Sequence, residues 1–190
     1  FLALGRRSKL PIIKLLCVMY IEFIRAVPLI TLLFMATTML PLLVSANITI
    51  NNVISCIIAI IMFSSAYYAE VIRAGLEGVD EGQYDASQSL GLSYWQSRCL
   101  IILPQALTIT LPNLVNTTIG LFKDTSLVYI VGLFDLLGMV ETTLSDPNWL
   151  ARYIYEGFLF VAIIFFILCF GLSRFSDGLE KRLNKKDTTI

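Results

Sequence analysis

The sequence predicts an all-α integral membrane protein, a polytopic helical bundle, on three observations. Of 190 residues 57% are hydrophobic and 15% charged. Soluble domains carry about 25% charged residues, so the polar surface is too small to coat a water-facing globule. Mean hydropathy is +0.79. Lastly, residues 27–44, 53–69, 99–122 and 157–173 carry no charge, and each approaches the roughly 20 apolar residues that cross a bilayer core as a helix.

Composition also excludes chemistry within this chain. It holds no histidine, which removes Ser-His-Asp and Cys-His nucleophilic sites and any His-bound zinc or haem. Cys17, Cys56, Cys99 and Cys169 lie about 40 or more residues apart, with no C-x-x-C pair, and read as small apolar packing residues. No metal site and no catalytic residue is expected. With 14 basic and 14 acidic residues the net charge is zero, which argues against a nucleic-acid surface.

Taken in order, the chain opens at Phe1 rather than Met, so an N-terminal stretch is expected to be missing, with room for another helix upstream. Arg6 and Arg7 are not followed by the short apolar core and cleavage site of a signal peptide. The spans fall at about 27–45, 53–73, 106–133 and 153–173, within one transmembrane domain covering 1–190. Twelve of the 14 basic residues lie before the first span, in the loop of residues 74–105 with its flank, or after Ser173. Cytoplasmic loops collect Lys and Arg, so both termini and this loop are predicted to be cytoplasmic. The poorly basic segments around 46–52 and 134–152 then face outward. Residues 125–140 are too short for a separate crossing and either extend the third span or lie near the outer surface, as do Asp146, Pro147, Asn148 and Trp149. Only the last residues, 184–190, are expected to lack order.

The loop carries the most information. A helix ends near Gly75 or Gly78, a second opens at Asp80–Glu81 and runs to Leu90 with Gly91 as terminator, and Ser93 caps a third toward Leu103–Pro104. Two short helices joined by a glycine turn make a compact knob with Tyr84, Tyr94 and Trp95 available for contact. Two readings stand: a docking surface anchored by aromatic residues, or a connector lying along lipid headgroups, where Tyr and Trp also collect.

The third span is polar. Asn113, Asn116, Gly120 and Lys123 step by three, four and three residues onto one helical face. Polar groups in hydrocarbon are costly unless they face protein or water. This face therefore either packs on neighbouring helices or lines a path, with Pro112 breaking a turn beside it. Lys123 and Asp124 are neighbours about 100° apart, so they either complement a zwitterion separately or lock the helix end. Glu22 and Arg25, three residues apart, read as a local ion pair or as a gate contact.

The loop resembles the EAA loop of ATP-binding cassette import permeases: Glu-Ala-Ala, three residues, Gly, nine residues, Ile, one residue, Leu-Pro. Asp85-Ala86-Ser87 stands for the triplet, Gly91 follows in register, and Ile101, Leu103 and Pro104 complete the spacing. Upstream, YIEFIRAVPLITLL is similar to a segment of the polar amino acid permeases, with Ala26 where Gly is usual. Downstream, LFKDTSLVYIVGLFDLLG resembles the same subfamily, and PLITLLFMATTMLPL, FDLLG and DPNWL resemble the permeases of general L-amino acid importers.

The resemblance implies the type I importer permease fold in the bacterial inner membrane. It also implies a second permease subunit, two cytoplasmic ATPase subunits and a periplasmic solute-binding protein. ATP would be bound by the ATPase, because this chain has no G-x-x-x-x-G-K-[ST] loop to cradle phosphates. Tyr84, Asp85, Ala86, Ser87, Leu90 and Gly91 would form the docked turn, with Tyr84 and Leu90 against apolar groove walls. Asn113, Asn116, Gly120, Lys123 and Asp124 would lie on the amino acid path. The rival reading is a non-transporting membrane scaffold or sensor that holds an ATPase. A secondary transporter is disfavoured, since neither an acidic relay nor an inverted repeat is visible.

Overall fold

The computed structural model describes residues 1–43 and 51–187, and the side chains of all of these except 147–152 and 182–187. Every regular element among the described residues is helical. Helix α1 is Leu2–Arg6, α2 Pro11–Ala26, α3 Leu29–Phe34, α4 Leu40–Leu43 and α5 Asn52–Glu77. They are followed by α6 Glu81–Ser89, α7 Tyr94–Ser97, α8 Leu103–Asp124, α9 Leu136–Leu144 and α10 Pro147–Asp187.

Three stretches are long and apolar enough to cross a membrane: Asn52–Glu77, Tyr94–Val131 and Tyr153–Lys181. A fourth is reached only by joining Pro11–Ala26 to Leu29–Leu43 across a bend of 103°. Within the span expected over 27–45, the chain is helical from Leu29 to Leu43, and the bend falls just before it. Pro28 is extended, with ψ 142°, and a proline biases its predecessor away from helix as well, so α2 stops at Ala26. Beyond α3 the chain widens into a π turn, Met35–Met39. Thr37 and Thr38 bond back to the Leu33 and Phe34 carbonyls there, at 2.9 and 2.6 Å. Residues 44 and 45, the end of that expected span, lie outside the described residues.

The third span, expected over about 106–133, lies within a longer run of helical turns. Helical structure starts at Tyr94, passes through a π turn at Arg98–Ile102 into α8, and closes as a 3-10 turn, Thr125–Val131. Gly132 ends it at φ +81°. Pro112 sits inside α8 without ending it: its missing amide costs one ladder bond, and neighbouring turns carry the helix through. The fourth span is expected from about residue 153, within α10. Tyr153 leaves helical geometry at φ −128°, separating the start of α10 from the apolar run that follows. The helix then continues to Asp187, so residues 184–187, expected to lack order, are helical, and 188–190 lie outside the described residues.

Contacts divide the chain into two compact units, and α2, α5, α8 and α10 contribute residues to both. The first unit comprises Phe1–Glu22, Ser65–Thr118 and the segment from Ser173. In lipid there is little hydrophobic gain from helix association, so small residues that permit close approach carry the packing. Gly75 of α5 meets Ala106 and Thr110 of α8 at such a point: a Cβ placed on Gly75 would overlap the Thr110 hydroxyl and lie 2.9 Å from the Ala106 carbonyl oxygen. Leu76, Val79, Ile102 and Ala106 form the adjoining core, with Tyr84 and Ile101 packed against it. A second cluster joins Ala3, Ile21 and Ala69, beside a 2.8 Å hydrogen bond between the Tyr20 and Ser65 hydroxyls.

The second unit holds Phe23–Ser64 and Ile119–Leu172. Leu29, Leu32 and Leu33 are buried, and α3 packs on the 3-10 turn. The Phe122 and Phe165 rings meet tilted, with centroids 5.4 Å apart. Helix α9 is capped by Asp135, which accepts from the Gly138 amide at 2.8 Å. Along α10, Phe166, Ile167 and Phe170 are more than half exposed. Such an apolar surface suits hydrocarbon rather than water.

Candidate functional site

The loop between α5 and α8 folds as a helix pair whose joints are all fixed by local hydrogen bonds. Asp80 caps α6 by accepting from the Gly82 amide at 2.7 Å. Helix α6 ends in a Schellman motif: the Gly91 amide donates to the Gln88 carbonyl at 2.9 Å and the Leu92 amide to the Ser87 carbonyl at 3.2 Å. Gly91 stands at φ +72°, a left-handed conformation that glycine adopts without a Cβ penalty. Ser93 and Gln96 then form a capping box that starts α7. These are the terminators and caps that the sequence predicts.

The knob is held together from inside. The Ser87 and Ser97 hydroxyls, both buried, bond at 2.5 Å and tie α6 to α7. The Tyr84 hydroxyl donates to the Leu76 carbonyl at 3.2 Å, fastening α6 to the end of α5. Arg98 lies 4.9 Å from the Tyr84 ring and 5.1 Å from the Tyr94 ring, close enough for cation–π attraction. Of the nine residues assigned to the loop's function, Tyr84, Ser87 and Ile101 therefore point into the chain itself. Asp85, Ala86, Leu90 and Gly91 form its open face, with Leu90 75% exposed, and Leu103 and Pro104 are exposed at the start of α8. Tyr84, expected against a partner's groove, is part-buried and packs on its own chain.

Asn113, Asn116, Gly120 and Lys123 are all exposed on α8, whereas Asp124 is part-buried. The two side chains of the Lys-Asp pair diverge, as neighbours on a helix must. On the same helix Thr118 shares a 2.8 Å hydrogen bond with Tyr68 of α5, and a Cβ on Gly120 would meet nothing within 4 Å. An exposed amide-rich stripe needs protein or water against it in a bilayer.

Glu22, set beside Arg25 by the spacing, accepts from Arg6 at 2.8 Å, and Arg25 belongs to the second unit. Arg6 also reaches Glu70 at 3.1 Å, and Arg73 bonds both Glu70 and Glu77. Glu70 is only 18% exposed at the end of a spanning helix, so it needs this double neutralisation. The sequence carries half of the signal, since Glu70, Arg73 and Glu77 are spaced by three and four residues. Arg6 is 64 residues from Glu70 and no local pattern could have found it.

The family model described as "Binding-protein-dependent transport system inner membrane component" matches residues 1–185. The chain belongs to that family. It is 53% identical over 183 residues to the Escherichia coli "Inner membrane amino-acid ABC transporter permease protein YhdY", covering 96% of this chain and 50% of that protein. It is 48% identical to the Rhodobacter capsulatus "Glutamate/glutamine/aspartate/asparagine transport system permease protein BztC", over 97% of this chain and 42% of that one. The chain thus spans half or less of the length of these two relatives. A solved structure described as "Crystal structure of an amino acid ABC transporter with histidines" superposes with a TM-score of 0.84 at 33% identity, covering 96% of this chain and 82% of that one. A helical inner-membrane transport component, rather than an enzyme, is what these similarities support.

Proposed function

We propose that the chain is the membrane-spanning core of a permease subunit in an ATP-driven importer of L-amino acids. It works with a second permease subunit, two ATPase subunits that bind the ATP on the cytoplasmic side, and a periplasmic solute-binding protein. The reading is carried by the loop: a rigid helix pair with the EAA spacing, fixed by buried hydroxyls and open to a partner at Asp85, Ala86, Leu90 and Gly91. Closure of the ATPase pair pushes on this knob, and the close packing at Gly75, Ala106 and Thr110 passes the displacement to α5 and α8. The positions of the basic residues put the loop and the C-terminus in the cytoplasm.

The amide stripe on α8 then faces the path or the second permease subunit. Asn113 and Asn116 offer donors and acceptors to a zwitterion, and Lys123 a cation for its carboxylate. Asn116→Leu is the informative substitution. Uptake of labelled amino acids should fall about tenfold or more, the loss of a charge-assisted hydrogen bond in a low-dielectric site, while the ATPase still assembles with the membrane subunits. Unchanged affinity and specificity in that variant would remove α8 from the path.

A further inference from the structure

A groove of about 520 Å³ opens where α1, the end of α5 and the start of the third span come together. Its walls are apolar, with Leu4, Leu76, Ile102 and Leu103, and its mouth carries Arg7, Lys9 and Arg98 beside Tyr94 and Trp95. Among the described residues no carboxylate lines it. Arg7 and Lys9 are exposed and make no ion pair among the described residues, unlike Arg6 and Arg73 nearby, which are both neutralised. Tyr94 and Trp95 are 64% and 69% exposed and meet edge to face at 5.5 Å. Glu77, Glu81 and Asp85 line a neighbouring cleft that shares Arg7, Leu76 and Arg98 with the groove.

We infer that this groove is a binding site for an anionic glycerophospholipid, with its phosphate between Arg7, Lys9 and Arg98. The position suits a headgroup: the groove lies at the ends of two spanning helices, where hydrocarbon gives way to water and where Tyr and Trp anchor. Charge and shape agree, since a cationic mouth over apolar walls matches a phosphate joined to acyl chains. The surface next to it continues apolar, with Leu10, Leu100 and Leu107 about half or more exposed, so the chains can leave the groove along the protein into the bilayer. Arg98, held between two tyrosine rings, presents its charge in a fixed direction. The inference requires only that the chain lies in a bilayer and is independent of the transport reading.

The test uses the full-length protein with its partner subunits, released from vesicles containing equal phosphatidylglycerol and phosphatidylcholine and examined by native mass spectrometry. Wild type should retain phosphatidylglycerol selectively, and excess glycerol 3-phosphate should not displace it, which separates a lipid from a free phosphate. Arg7→Gln with Lys9→Gln should reduce retention by about fivefold per charge, the equivalent of about 1 kcal/mol for each Lys or Arg near an anionic surface. Arg7→Lys with Lys9→Arg should restore it, which separates charge from folding. Equal retention of the two lipids, or full retention in the Gln variant, would overturn the site. Unchanged retention with loss of the ATPase subunit would assign the groove to that protein instead.

Discussion

Replacing Gly91 by tryptophan should abolish ATP-driven uptake while leaving the protein folded in the membrane. Gly91 is at φ +72° and a Cβ there meets nothing within 4 Å. A larger side chain therefore projects outward from the knob without disturbing its interior. The folding penalty is that of one left-handed residue, about 1 kcal/mol. The effect on a partner is far larger, because the new ring stands in the middle of the face formed by Asp85, Ala86 and Leu90. Co-purification of the ATPase subunit and substrate-stimulated hydrolysis should both be lost. Gly91→Asn separates the two costs, since asparagine tolerates the left-handed region with a small side chain, and it should keep most of the assembly. Normal hydrolysis and assembly in Gly91→Trp would show that the loop docks elsewhere.

Gly75→Leu should prevent stable folding. Even a single added carbon at this position runs into the Thr110 hydroxyl, itself bonded to the Ala106 carbonyl, and presses on that backbone oxygen from 2.9 Å. A side chain end can move aside, but a carbonyl within a helix cannot. Overpacking costs about 1–3 kcal/mol and sometimes more, and leucine at a backbone contact belongs at the upper end. Yield of monodisperse protein in detergent and its thermal aggregation midpoint report the effect. Gly75→Ala combined with Thr110→Ala should recover part of the loss seen in Gly75→Ala alone, as contacting residues couple. A leucine variant as stable as wild type would mean that α5 and α8 do not meet here.

The sequence made the loop readable in detail because its signals are local. Asp80, Gly91 and Ser93 each act within a few residues, and each appears in the structure at its expected task. The membrane class was equally legible from hydropathy and charge. What escaped were features set by tertiary context. Spacing showed Tyr84 as an available aromatic, but its direction depends on a Leu76 carbonyl in a different helix. Ser87 stood as the third member of a motif, while its structural task, the bond to Ser97, joins two elements. Hydropathy placed the first crossing over 27–45 without sensing that Pro28 turns the chain by 103°. Pro112 carried the opposite lesson: a helix breaker by rule, it remains inside α8.

Under the proposed reading, a partner's ATP hydrolysis drives amino acid movement through this subunit. Proteoliposomes that contain the full-length protein, its second permease subunit and the ATPase, with the binding protein and labelled amino acids on the side opposite the ATPase, measure this directly. Accumulation of label should require ATP, amino acid and binding protein together, and should disappear with Gly91→Trp. Hydrolysis stimulated by the binding protein with no accumulation of any amino acid would contradict transport and make the chain a scaffold that holds an ATPase at the membrane.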